Sequence, residues 1–320
     1  MRKTGLFYLL LIFVTHLSMG QSIKVGLLFD QFASARWEVD AGNLKEEFSK
    51  LGVETILKVA HSSIEKQIAQ TQELVDEGVN AIIVVAVDGS NSSAIIDIAK
   101  ANNVIVVAYD RPILDNRVDL YVSYNNLEVG KMQAKSMMET VKNGNIILIN
   151  GPVADINAIQ FRKGHLETLK PYVESGQIKI VQDLVLDNWS DVSALMRLYE
   201  VAPDFTQIKG VISAVDWFND AAIEYAGDSA IFTNIYMTGQ DPSTATAIKI
   251  EKGIQNMTVF KPIDVLSKKA AEMTMARLKK QEIKGLQNYS IGEYTLSSYL
   301  FNPIFIDKNN LNEYRSQFNK

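Results

Sequence analysis

The side chains able to do chemistry in this chain gather in short polar strings that follow apolar runs. Asp30-Gln31-Phe32 leads to Arg36-Trp37, and Tyr109-Asp110-Arg111 ends another apolar run. Asp155 and Asn157 come next, then Asp187-Asn188-Trp189, Asp216-Trp217 and Gln240-Asp241. Carboxylates and amides accept the protons that hydroxyl groups donate, while guanidinium forks donate to hydroxyl lone pairs. Flat aromatic rings cover an apolar C–H face. A neutral sugar needs this combination, and all three tryptophans of the chain, Trp37, Trp189 and Trp217, lie in these strings. Each residue alone has a plainer role, since aspartate at a strand end caps the next helix and tryptophan packs in cores. Recurrence across six loops favours a ligand site.

Other chemistries lack their anchors. No G-x-G-x-x-G follows the first apolar run and no G-x-x-x-x-G-K-[ST] occurs, so dinucleotide and P-loop readings fall away. The chain has no cysteine, which removes disulfides, thiolate metal sites and a thiol nucleophile. The three histidines, His16, His61 and His165, are far apart, against a histidine triad or a zinc site. His61 and His165 read as surface or helix-boundary residues. No calcium loop of the D-x-[DN]-x-[DN]-G type is present. Neither metal nor cofactor is expected, and no catalytic residue is assigned. A sugar-acting enzyme with two distant carboxylates remains a lower alternative, because glycosidase acids come from separate loops.

The elements that must position these strings are legible from periodicity. Continuous apolar β-branched runs such as Ala81-Ile82-Ile83-Val84-Val85 suit strands covered by helices on both faces of a parallel sheet. They alternate with amphipathic stretches such as Ile64 to Glu77, a βαβ pattern that restarts after Tyr121. The fold class is therefore α/β, with two doubly wound parallel-sheet lobes and no flexible tether between them. In such sheets ligands bind beyond the carboxyl ends of the strands, where the polar strings fall.

At the N-terminus, Arg2 and Lys3 precede an apolar run from Leu6 to Val14 and then Ser18-Met19-Gly20, the layout of a cleavable export signal over residues 1–20. Cleavage after Gly20 leaves 300 of the 320 residues and takes the formal charge from −5 to −7 by removing two cations. A mildly acidic exported chain is a poor partner for nucleic acid. The expected location is the periplasm.

Several strings are specific enough to carry a resemblance. Asp30 to Trp37, Ala108-Tyr109-Asp110-Arg111, Asn126 through Gly130 with Gln133-Ala134-Lys135, Leu169 to Val173, Gly239-Gln240-Asp241 and Met257-Thr258-Val259-Phe260-Lys261-Pro262 resemble, in order, the D-xylose-binding members of the type I periplasmic sugar-binding family. The resemblance implies an aldopentose enclosed between lobes joined by a three-segment hinge. It places lobe 1 at 21–124 plus 260–290 and lobe 2 at 125–259 plus 291–320, with the third crossover around Tyr289 to Tyr294. It assigns sugar contacts to Arg36, Asp110 and Arg111 from lobe 1, and to Asp155, Asn157, Trp189 and Asp241 from lobe 2. Lys261 stands beside the hinge, Trp37 stacks on the ring, and Asp216 completes the set. One departure is Val215-Asp216 where the family pattern has Asn-Asp, and Trp217 is bulkier than the residue expected there; both bear on which sugar is held. The implied partners are a monosaccharide and a membrane ABC permease or, as the alternative, a membrane sensor; the implied state is a monomer. A LacI-like regulator shares the fold but would require an N-terminal DNA-binding helix pair in place of an export signal.

Overall fold

A computed structural model describes residues 22–32 and 35–318. The export signal expected over residues 1–20 lies outside the described residues.

The first lobe is built on a parallel sheet whose central strands are buried on both faces. Strands β1 (Lys24–Phe29), β2 (Glu54–Val59), β3 (Ala81–Val84), β4 (Ile105–Tyr109) and β5 (Leu120–Tyr124) alternate with α1 (Ala35–Lys50), α2 (Ile64–Asp76) and α3 (Ser93–Ala101). Along β3, Ala81 and Ile83 enter a core with Phe29, Leu44, Phe48 and Tyr109 on one face. Ile82 and Val84 enter a second core with Leu74, Ile95 and Ile96 on the other. Uninterrupted apolar strands are the consequence of this two-sided burial.

The second lobe repeats the plan. After α4 (Asn126–Thr140), the strands β6 (Gly144–Asn150), β7 (Ile178–Val185), β8 (Ile208–Ser213) and β9 (Tyr236–Thr238) form a parallel sheet in the order β7-β6-β8-β9. Helices α5 (Ile156–Glu174), α6 (Asp191–Val201) and α7 (Asp216–Ala226) connect them, and α8 (Thr244–Glu251) follows β9. Helices α4 and α5 cross with their backbones nearly touching: a Cβ on Gly130 would collide with the Phe161 carbonyl, and one on Gly164 with the Leu127 carbonyl.

The chain then crosses back. Strand β10 (Met257–Phe260) belongs to the second lobe, whereas α9 (Ile263–Leu278) packs Leu266, Ala270 and Ala271 into the first lobe's core. Two further strands, β11 (Gln287–Ile291) and β12 (Tyr294–Phe301), extend the first sheet, whose order is β11-β12-β5-β4-β3-β1-β2. Strand β13 (Ile304–Asp307) then returns to the second lobe, pairing antiparallel with β10, and Leu311 and Phe318 after it pack with Ala247, Ile250 and Phe260.

This corrects the expected boundary. Residues 291–301 belong to the first lobe, and the third crossover runs through Asn302-Pro303 rather than near Tyr289 to Tyr294. The reason is local: Ile291 pairs with Tyr294 across Gly292, whose φ of 60° closes a hairpin, so the chain turns there instead of crossing. Ser298 to Phe301 then pair in parallel with Tyr121 to Tyr124. The three crossing segments hold one another, with the Tyr124 hydroxyl donating to the Pro262 carbonyl at 2.8 Å and the Asn125 N–H to the Phe301 carbonyl at 2.9 Å.

Candidate functional site

The carboxyl ends of both sheets face one cleft, where a cavity of about 590 Å³ opens between the lobes. That volume falls in the usual range for small-molecule sites. Its wall includes nine of the ten residues singled out from the sequence: Arg36, Trp37, Asp110, Arg111, Asp155, Asn157, Trp189, Asp241 and Lys261. Each comes from the loop after a strand or from the first turn of the following helix.

Arg36 and Trp37 lie in the first turn of α1, after the β1 end. The guanidinium groups of Arg36 and Arg111 lie over the Trp37 ring, 4.7 and 5.3 Å from its centroid, a cation–π arrangement. Asp110, at the β4 end, has a left-handed backbone with φ 61°, and Asp241, beyond β9, has φ 57°. Non-glycine residues rarely adopt this conformation, and it aims both carboxylates into the cleft. Asp110 is held in it by its own carbonyl, which accepts from the Tyr121 and Ser123 hydroxyls at 3.1 and 2.8 Å and from Asn157 Nδ2 at 3.2 Å.

Charged pairs join the lobes across the cleft. Arg111 Nη1 donates to Asp30 Oδ2 of its own lobe at 2.8 Å, and its Nε lies 2.8 Å from Asp155 Oδ2 of the other. Arg36 pairs with Asp110 and reaches Asp241 Oδ2 at 3.4 Å, while Lys261 Nζ lies 3.3 Å from Asp241 Oδ1. Asn157 Nδ2 donates to Asp110 Oδ1 at 3.0 Å. Burial works against ionisation of Asp110, yet Arg36, Lys261 and Arg111 together hold its carboxyl below the ordinary aspartate value.

The second lobe also brings an apolar wall. Trp189 stacks on Phe218 with ring centroids 5.9 Å apart, above Gly151, where a Cβ would collide with the indole. Its Nε1 donates to Asp155 Oδ2 at 3.0 Å, and Trp217 Nε1 donates to the Trp189 carbonyl at 3.0 Å. Both indole N–H groups are thus engaged with protein, and Val215 and Phe161 add further carbon surface to the cavity. Asp155 caps α5 through the Asn157 N–H at 2.9 Å and also lines the cleft.

Asp216 is the exception. Its carboxylate lies behind the wall, accepting from Gln255 Nε2 at 2.6 Å and Thr258 Oγ1 at 2.7 Å, and Val215 takes the position on the cavity. Burial pushes its pKa up to about 7 against the pull of Thr258, Lys249 and Gln255. The physical reason is that Val215 precedes α7 in extended conformation, so Asp216, the first helical residue, turns toward the β10 strand. His165 departs from expectation too: it is fully buried in α5, not at a surface or helix boundary. Its Nε2 meets Gln133 Oε1 at 2.7 Å. Because Gln133 spends its Nε2 on the Ser213 carbonyl, the histidine Nε2 carries the proton.

Some wall residues carried no sequence signal of their own. Ser62 enters from a non-glycine left-handed turn with φ 61° after β2, and Phe161 comes from the interior of α5. Phe161 is one helical turn beyond Asn157, a spacing that does place it on the same face. Asp40, one turn after Arg36, accepts from Arg36 Nε at 3.3 Å beneath the cleft.

Two sheets with opposed carboxyl ends, a three-segment hinge and a polar cleft define a periplasmic binding protein of the type I architecture. The chain belongs to that family: the profile described as periplasmic binding protein domain matches residues 25–282. The D-xylose-binding periplasmic protein of Escherichia coli (strain K12) is 32% identical over 294 residues, covering 92% of this chain and 89% of its own length. That of Haemophilus influenzae is 33% identical over 297 residues, with the same two coverages. Among solved structures, the carbohydrate transporter solute binding protein from Chloroflexus aurantiacus in complex with D-glucose superposes with a TM-score of 0.82 at 23% identity, covering 92% of this chain and 95% of that one.

Proposed function

We propose that this chain is a periplasmic receptor for one aldose, with D-xylose or a close relative as its ligand, which it delivers to an ABC importer by closure of its lobes. The observation that carries this reading is the convergence of Arg36, Asp110, Arg111, Asp155, Asn157 and Asp241 on a single cavity, from both lobes. Acceptors and fixed donors alternate around that cavity beside aromatic carbon surface, which is the chemistry of a pyranose. The D-xylose-binding relatives support the choice of sugar.

The role is binding rather than turnover. Asp30, Asp110, Asp155 and Asp241 are each engaged with a cation, and a carboxylate paired in this way is an acceptor rather than a proton donor. A ligand touching both lobes stabilises the closed form by its differential contacts, and a membrane partner then distinguishes closed from open.

Isothermal calorimetry of the mature chain against xylose, arabinose, ribose, glucose and galactose, with the recovered sugar checked by chromatography, tests the reading. One-to-one binding of an unaltered aldose is expected. Absence of binding by all five, or recovery of a changed sugar, overturns it. Stimulation of an ABC permease in vesicles is the expected downstream effect; stimulation of a membrane sensor kinase instead would move the chain to signalling.

A further inference from the structure

Arg36 is the guanidinium that reaches across the cleft, and what fixes it lies out of the cavity. Asp40 sits one helical turn further along α1, so its side chain falls under Arg36 on the same face. It is fully buried. Asp40 Oδ2 accepts from Arg36 Nε at 3.3 Å, and its Oδ1 accepts from the Tyr109 hydroxyl. Tyr109, also fully buried, is the last residue of β4, immediately before Asp110. The two Nη groups of Arg36 are directed at Asp110 in its own lobe and at Asp241 in the other, while Nε is directed at Asp40. A planar guanidinium held at Nε and at both Nη atoms has no freedom left to rotate.

We propose that Asp40 and Tyr109 are positioning residues for sugar binding: the Tyr109 hydroxyl orients the Asp40 carboxylate, and that carboxylate sets the plane in which Arg36 meets the ligand and Asp241. This rests on the cleft being the sugar site. The groups facing Asp40 are Arg36 from α1, Tyr109 from β4 and Asp110 just after it, Tyr124 from β5, and Asp241 from the second lobe. Burial pushes the Asp40 pKa up to about 7, the pull of Arg36 and Tyr109 only partly offsetting it. Asp40 therefore gains its charge as pH rises through neutrality, and with it the charge-assisted bond to Arg36. Sugar affinity rises across the same interval, and binding releases a proton there.

The test has two arms. Calorimetry with the tightest-binding sugar of the panel, from pH 5.5 to 8.5, compares the natural chain with Asp40→Asn, Asp40→Glu and Tyr109→Phe. Affinity of the natural chain should rise with pH, by about tenfold to a hundredfold if one charge-assisted bond is gained. Asp40→Asn should be weak and flat with pH, Asp40→Glu should restore part of the slope, and Tyr109→Phe should move the midpoint upward. In the second arm, the Arg36 Nε–H signal of the sugar-free protein is followed by NMR. It should be protected from solvent exchange at pH 8 and lose that protection in Asp40→Asn. An Asp40→Asn protein that binds as tightly as the natural chain with the same pH slope overturns the proposal. So does unchanged protection of Arg36. Should no sugar bind the natural chain, the sugar reading fails while the NMR arm still decides the role of Asp40. Should Asp40→Asn not fold, the upward shift in Tyr109→Phe decides it, and an unmoved midpoint counts against it.

Discussion

Arg111 holds carboxylates from both sides of the cleft, and the cost of losing it follows from what it leaves behind. Asp30 and Asp155 are buried; Arg111 donates to Asp30 Oδ2, and Asp30 Oδ1 has no hydrogen-bond partner among the described residues. Arg111→Met should therefore destabilise the protein by about 3–5 kcal/mol, the usual penalty for stranding a buried charge. Urea unfolding at neutral pH measures it, and a change below about 1 kcal/mol would place the pair in the weak surface class. His165 gives a prediction of opposite origin. Burial lowers its pKa from 6.5 to about 3, so the folded chain keeps it neutral where the unfolded chain protonates it. Its contribution to stability is complete above the unfolded pKa and is lost as pH falls through that window, by about 1.4 kcal/mol per pH unit. Asp40 and Asp216, with raised values, act with the opposite sign over part of the range. The effect is therefore read as the difference between the natural chain and His165→Gln in thermal unfolding against pH, and His165→Gln should lose less stability in acid.

At the level of elements, the crossing of α4 and α5 fixes where Asn157 and Phe161 stand. Gly130 has no room for a side chain, because its Cβ would meet backbone rather than the flexible end of a neighbouring residue. Gly130→Ala should push the helices apart and cost about 1–3 kcal/mol, the range for overpacking. Denaturant midpoints should fall with little change in slope, and sugar affinity should fall as well, since α5 carries one wall of the cleft. An Ala variant as stable as the natural chain would show that the crossing relaxes without strain. The hairpin of β11 and β12 is a second element with a consequence. It places the third hinge strand beside β5, so all three crossings lie at one end of the cleft.

For the whole molecule, Ile156 of the second lobe is buried with Ile113 and Ala86 of the first. Polar bridges join the lobes at the cleft, from Arg111 to Asp155 and from Arg36 to Asp241, and the hinge segments are tied by Tyr124 and Pro262. Under the proposed function, closure would be governed by groups that also line the cleft, the arrangement in which a ligand shifts an open–closed equilibrium most directly. Small-angle scattering with and without sugar should show a smaller radius of gyration in the bound form. An unchanged profile would count against lobe closure as the transport signal.

Much of this was legible in the residues. Apolar β-branched runs, burial on both faces and polar strings at strand ends imposed the doubly wound lobes and the location of the site, because these follow from side-chain periodicity alone. The i, i+4 spacing of Arg36 and Asp40 was also there to be read. Other features depend on contacts distant in sequence. Residues 294–301 could join either sheet by pattern, and only parallel pairing with β5 assigned them to the first. Asp216 and Val215 are neighbours with opposite fates, since the start of α7 turns one toward Thr258 and Gln255 and leaves the other on the cavity. Local sequence sets which faces a strand or helix offers; which partner covers a face, and so which carboxylate meets ligand or core, is decided when the elements pack.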